Sequence, residues 1–129
     1  MSGTRSHRVR VSRPYEPRVR GDGIRVLVDK LWPRGLSKDA ADLDEWCKAI
    51  APSTELRKWY GHDPDRFEEF RSRYRSELEG PERSRALQHL GALLRRRNLT
   101  LLTAAKDPEG SEAAVIADVL VGSDGGGDA

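Results

Sequence analysis

The chain has 129 residues, 36% of them hydrophobic and 34% charged, with a formal net charge of +2 and one cysteine. That length fits a single domain with a small core beneath a heavily charged surface. It leaves no room for an internal disulfide or a paired-cysteine metal site, and no apolar run approaches the ~20 residues of a membrane span.

The first residues are basic but lack the apolar stretch of a secretory signal, so a cytoplasmic location is expected. Charge is unevenly placed. Residues 1–25 hold seven arginines against Glu16 and Asp22, a local +5, which leaves −3 of the total +2 for the remainder. Such a basic end either attracts phosphate-rich partners, nucleic acid among them, or is a solvated terminal segment. Residues 1–7 read as a flexible tail. Arg8 to Ser12 alternates charged and apolar residues, which predicts a short strand with one buried face. Pro14, Pro17, Gly21 and Gly23 mark a loop. The run from Ile24 to Asp29 is almost continuously apolar and β-branched, as expected of a central strand buried on both faces. It breaks into Trp32, Pro33, Arg34 and Gly35. A large aromatic, a rigid turn residue, a cation and a hinge thus stand at a strand end, where open α/β sheets place their ligand sites.

Several helices are expected next. Asp42 and Glu45 have capping-box spacing, and Leu43, Trp46, Cys47 and Ile50 fall on one helical face that Pro52 ends. Ser53 or Thr54 can cap a short helix carrying Leu56, Trp59 and Tyr60. Asp63-Pro64 is a helix start, followed by Phe67, Phe70, Tyr74 and Leu78 on one face. After Gly80-Pro81 another helix carries Ala86, Leu87, Leu90, Leu93 and Leu94. It closes on Arg95 to Arg97, with Asn98 as a left-handed cap. Leu99 to Ala105 is the second buried strand, Lys106 to Gly110 a turn, and Ser111 to Val121 a final helix. Residues 122–129, rich in Gly, Asp and Ser, read as a disordered tail. Two strong strands separated by helices predict parallel pairing through a crossover, with Trp32–Gly35 and Lys106–Pro108 leaving the same sheet edge.

Arg34 and Lys106 at neighbouring strand ends, beside the start of the last helix, can form an anion site. The structural alternative pairs Arg34 with Asp29 or Asp107. Asp29, at the end of an apolar strand, must be hydrogen-bonded or paired. It can act as a general base or sit in a salt bridge with Lys30, Arg34 or Lys106. Trp59 and Tyr60 can stack on a ring or simply pack between helices. Cys47, on the apolar face, reads as a small core residue. His7, His62 and His89 lack metal-ligand spacing, so neither a metal nor a cofactor is expected. The glycine pattern matches no phosphate loop or dinucleotide fingerprint.

The segments Arg25 to Leu36, Leu43 to Trp46, Ile50 to Arg57 and Leu99 to Asp107 resemble the YeaO-like branch of the domain-of-unknown-function 488 family, over about residues 8–121. The resemblance implies a compact bacterial cytoplasmic α/β domain of uncharacterised activity. The family's strand–turn block maps onto Asp29, Trp32, Pro33, Arg34 and Gly35, its second block onto Pro52 to Arg57, and its lysine after the second strand onto Lys106. Another branch carries Cys and His-Arg after that strand, whereas Ala104 to Glu112 contains neither Cys nor His. Gly110-Ser111 stands where YeaO-like relatives commonly have His-Asn, and Glu112 follows as a base or as an acid at the helix start.

The expectation is one α/β domain over residues 8–121, with a small, mainly parallel sheet flanked by helices. Its strand-end crevice is expected to bind a small anionic or phosphate-bearing ligand through Trp32, Arg34, Arg57, Lys106 and Ser111, with Asp29 and Glu112 as weak catalytic candidates. The alternative is nucleic-acid binding by the basic N-terminal segment and the same crevice.

Overall fold

A computed structural model describes residues 7–126 of the chain. Four strands, β1 (Val9–Ser12), β2 (Ile24–Leu27), β3 (Glu45–Trp46) and β4 (Leu99–Leu102), form one sheet in the order β1-β4-β2-β3. Every neighbouring pair is parallel, with Leu101 opposite Val11 on one side and Val26 on the other. All four residues of β4 are buried. A parallel strand covered on both faces favours apolar side chains on both, which is why β2 and β4 stand out as largely apolar runs.

Helices α1 (Lys38–Ala41), α2 (Thr54–Tyr60), α3 (Phe67–Glu77), α4 (Pro81–Arg96) and α5 (Glu112–Gly126) complete the α/β domain. Local chemistry explains most boundaries. Ser53 caps α2 by accepting from the Leu56 N–H, and Gly61 ends it in a left-handed turn. Asp63 caps a 3₁₀ turn over Pro64–Arg66 that leads into α3, and Pro81 occupies the first turn of α4. The rings of Tyr60, Phe70 and Tyr74 stack in series at centroid distances of 4.2 and 5.7 Å. They join Val26, Val28, Leu99, Leu101, Ile116 and Leu120 in the main core.

Three expectations are corrected. No helix begins at Asp42. That residue instead ends α1 with φ 51°, Glu45–Trp46 is the edge strand β3, and only Lys48–Ile50 coils as a 3₁₀ turn. Pairing with β2 wins because it satisfies main-chain groups on both segments: Asp44 N–H donates to Arg25 O and Cys47 N–H to Leu27 O. Asn98 is not a left-handed cap. The cap of α4 is Arg97 in an extended conformation, while the Asn98 amide accepts from Arg8 N–H and donates to Gly21 O, joining three segments. Finally, α5 continues to Gly126, past the expected end at Val121, and residues 1–6 and 127–129 of the expected tails lie outside the described residues. His7, the last residue of the expected N-terminal tail, is tied to the Leu94 carbonyl at 2.9 Å.

Arg25 interrupts the apolar run of β2, and it is only 1% exposed, as Asp22 is 3%. The guanidinium donates from Nη1 to Asp22 Oδ2 at 3.0 Å, from Nε to Asp42 O, and from Nη2 to Glu16 O and Ala41 O. Asp22 also accepts from Arg10 at 3.0 Å and from the Val19 N–H. Arg18 reaches both Asp42 and Asp44 at 2.9 and 3.2 Å. Three arginines of the basic N-terminal segment are thus paired within the fold, where they fasten its loop and α1 to the sheet.

Candidate functional site

Because β2 and β4 run parallel, the segments leaving them share one rim. Asp29 lies just beyond β2, and its Oδ2 accepts the Ala104 N–H at 2.8 Å, while its main-chain carbonyl accepts the Trp46 indole N–H at 2.8 Å. One residue therefore links the exits of β2, β3 and β4. It makes no ion pair among the described residues. The Trp32 ring meets Trp46 edge-on at 5.3 Å, and its indole donates back to Leu36 O at 2.6 Å. Gly35 closes this turn with φ 75°, a left-handed conformation that glycine adopts without strain.

The turn overhangs a cleft of about 440 Å³ between the strand exits and α2. Trp32, Arg34, Arg57, Asp29 and Glu112 all line it, together with Lys30 and Lys58. None of Lys30, Arg34, Arg57 and Lys58 forms an ion pair among the described residues. Arg57 projects from α2, where Nη2 donates to Thr54 Oγ1 at 3.3 Å. Its Nε is buried and without a protein partner. A buried charged donor left unsatisfied is costly, and such groups call for a ligand or water.

Glu112 opens α5 at the cleft floor. Part of its surface faces the cleft, yet the surrounding protein desolvates the carboxyl and pushes its pKa well above the ordinary range, and a hydrogen bond to the Asp29 side chain adds to the rise. The field of Arg57 opposes this without reversing it. The shift favours the protonated carboxyl of Glu112 over its carboxylate. Folding raises the proton affinity of this group, so the native state binds more protons than the unfolded chain. The contribution is most favourable below the ordinary glutamate range and is lost as pH rises through the raised value. Glu112→Gln keeps a donor toward Asp29 and removes the titration. Its melting temperature should exceed that of the parent at pH 8, with the gain shrinking toward pH 4. A variant that melts lower than the parent at both pH values would sink this account.

The remaining expected site residues part company with this cleft. Lys106 lies instead in an adjoining cavity of about 690 Å³, with Tyr60, His62, Phe67 and Asp107. Ser111 lines neither cavity. It is buried, its hydroxyl donates to Pro108 O and accepts from the Ala113 N–H, and its role is to start α5 rather than to meet a ligand. Cys47 is half-buried against the core, and burial raises its thiol pKa, away from nucleophilic use. Trp59 lies outside both cavities, between the guanidinium groups of Arg66 and Arg73 at 5.3 and 4.4 Å.

Sequence reasoning missed Lys58 and His62 as cleft residues, and offered Tyr60 only as a ring-stacking alternative to helix packing. The metal argument against the histidines says nothing of packing. Among the described residues no group of three or more His, Cys, Asp or Glu side chains is placed to hold a metal ion.

Fold and cleft together define a small, parallel-sheet α/β domain with a cationic strand-end site. Residues 8–123 match the family described as the inactive DUF488-N3 subclade, and the chain belongs to that family. It is 49% identical over 118 residues to an uncharacterised protein of Mycobacterium tuberculosis, covering 92% of this chain and 98% of the relative. An uncharacterised protein of Mycobacterium bovis shows the same identity and coverage. The uncharacterised Escherichia coli protein YeaO is 41% identical over 112 residues, 87% of this chain and 96% of its own length. No solved structure matches.

Proposed function

We propose that this domain binds a small anionic or phosphate-bearing ligand in the cleft beneath the Trp32–Gly35 turn. The observation that carries the reading is Arg57, whose buried Nε lacks a protein partner at a cleft that Lys30, Arg34 and Lys58 also line. Planar guanidinium groups suit the oxygens of phosphate and carboxylate. The word inactive in the family's description, and the lack of Cys and His between Ala104 and Glu112, support binding without turnover. No helix among the described residues is long and apolar enough to cross a membrane. The nucleic-acid reading draws less support, because Arg10, Arg18 and Arg25 already pair with carboxylates.

Titration calorimetry with inorganic phosphate and pyrophosphate tests the reading. Arg57→Ala is expected to weaken binding by about ten- to a hundredfold, the usual effect of losing hydrogen bonds from a charged group. Arg34→Ala, on the exposed rim, should cost less, and Lys106→Ala least. Affinity unchanged in both arginine variants would overturn the site. Oligonucleotide mobility that shifts at low salt, and reverts steeply as salt is added, would favour the nucleic-acid alternative.

A further inference from the structure

The two cavities at the strand exits share Tyr60, His62, Ala104 and Ala105 in their walls. They differ in chemistry. The first is lined by the four cations Lys30, Arg34, Arg57 and Lys58, which outnumber the carboxyl groups of Asp29 and Glu112. The second is lined by the rings of Tyr60, His62 and Phe67 with Pro64 beside them, and there Asp107 and Glu109 outnumber Lys106. Tyr60 is fixed in this position: its hydroxyl donates to Gly110 O at 2.6 Å and its ring stacks on Phe70. The exposed His62 ring sits 5.7 Å from Tyr60 and tilted to it by 49°. His62 also holds a left-handed backbone at φ 58°, directly after Gly61 at φ 53°. Side-chain-bearing residues rarely take that conformation, and strain of this kind gathers at ligand sites.

We propose that the two cavities are the halves of one site for a nucleoside monophosphate, its phosphate in the Arg57 half and its base in the Tyr60–His62–Phe67 half. This rests on the anion-binding reading and names its ligand class. Charge orients the ligand. A phosphate is drawn to the four cations and repelled by Asp107 and Glu109, whereas those carboxylates accept hydrogen bonds from a base amino group. The flat ring supplies a face for stacking on aromatic side chains, which tolerates any base but demands one. Each cavity lies in the size range of small-ligand pockets.

Calorimetry with inorganic phosphate, adenosine and adenosine 5′-monophosphate tests this. The nucleotide is expected to bind about tenfold or more tightly than phosphate, as one stacked base contributes. His62→Ala should weaken the nucleotide more than phosphate and bring the two to within about threefold of each other. His62 is exposed, and alanine there meets the same backbone constraint, so the fold should persist, which melting followed by circular dichroism checks. Arg34→Ala should weaken phosphate and nucleotide alike and leave any adenosine binding unaffected. Equal affinity for nucleotide and phosphate would overturn the two-part site and leave the anion cleft standing. Adenosine binding as tightly as its monophosphate would equally overturn the link between the halves. If none of the three binds, the anion reading falls and this proposal with it.

Discussion

Asp22→Ala is expected to cost roughly 3–5 kcal/mol of folding stability, because Asp22 is the only carboxylate among the described residues that forms an ion pair with the buried Arg25 guanidinium. Arg25 is 1% exposed inside β2, and no solvent route relieves the unpaired charge. The three carbonyls that it also contacts, on Glu16, Ala41 and Asp42, accept hydrogen bonds without neutralising it. A domain of this size is generally stable by only about 5–15 kcal/mol, so the loss is a large share of the whole. Arg25→Met should be milder, since Asp22 keeps its 3.0 Å pair with Arg10. The double variant Asp22→Asn/Arg25→Met should recover much of the loss, as apolar replacements of buried ion pairs commonly do. Urea unfolding at fixed pH and salt provides the comparison. An Asp22→Ala midpoint close to the parent's would show that the pair contributes little.

The second large effect is expected at Gly23→Ala. A Cβ built there lies 2.0 Å from the Asn98 carbonyl oxygen and 2.5 Å from its carbon, main-chain atoms that no side-chain rotation can move. Gly23 also has φ 66°, so alanine would be strained even in open space. The neighbouring Ile24 N–H donates to that same Asn98 carbonyl at 2.8 Å, so any retreat of Asn98 opens the start of the β2–β4 ladder. Overpacking and backbone strain together should cost about 3 kcal/mol or more. Gly21→Ala is the control. It shares a positive φ, 95°, but its Cβ meets nothing within 4 Å, so only the strain remains. Equal melting temperatures for the two variants would rule out the steric account.

The contrast between these glycines shows what the sequence could disclose. Both read as loop markers, and only the neighbouring Asn98 separates them. Elements dictated by their own side chains were legible: β2 and β4 from nearly continuous apolar runs, α3 from the spacing of Phe67, Phe70 and Tyr74 after Asp63-Pro64. The segment after Asp42 was not, because Leu43, Trp46, Cys47 and Ile50 have helical spacing by coincidence. A free edge of β2 captures Glu45–Trp46, a tertiary choice that local spacing cannot encode. The cleft shows the same division. Trp32, Arg34 and Asp29 sit at an apolar strand's end and were found there, and Arg57 and Glu112 came with them. Lys106 leaves the same rim and lines the adjoining cavity, since a strand end fixes an edge and not which way a turn leans. Tyr60 was legible as a ring that could stack but not as part of a cleft, and His62 became visible only once α2 was docked beside the strand exits. Arg25 looked like one more charge in a basic segment, and its burial depends on Asp22, Glu16 and Ala41 meeting around it.

Strand order has a consequence for how the protein is made. β1 touches no strand except β4, which also separates it from β2. Leu99 to Leu102 emerge from the ribosome after most of the chain, so the nascent polypeptide carries β1 unpaired and β2 with only the two-residue β3 beside it. A sheet whose hub arrives last cannot assemble piecemeal during translation. Its closure must bring together segments far apart in sequence, a slow kind of step that exposes apolar edges meanwhile. A chain cut short before Leu99 would lack the strand that every other layer is built around. Refolding from urea should accordingly be slow for so small a domain, with β1 and β4 gaining amide protection together.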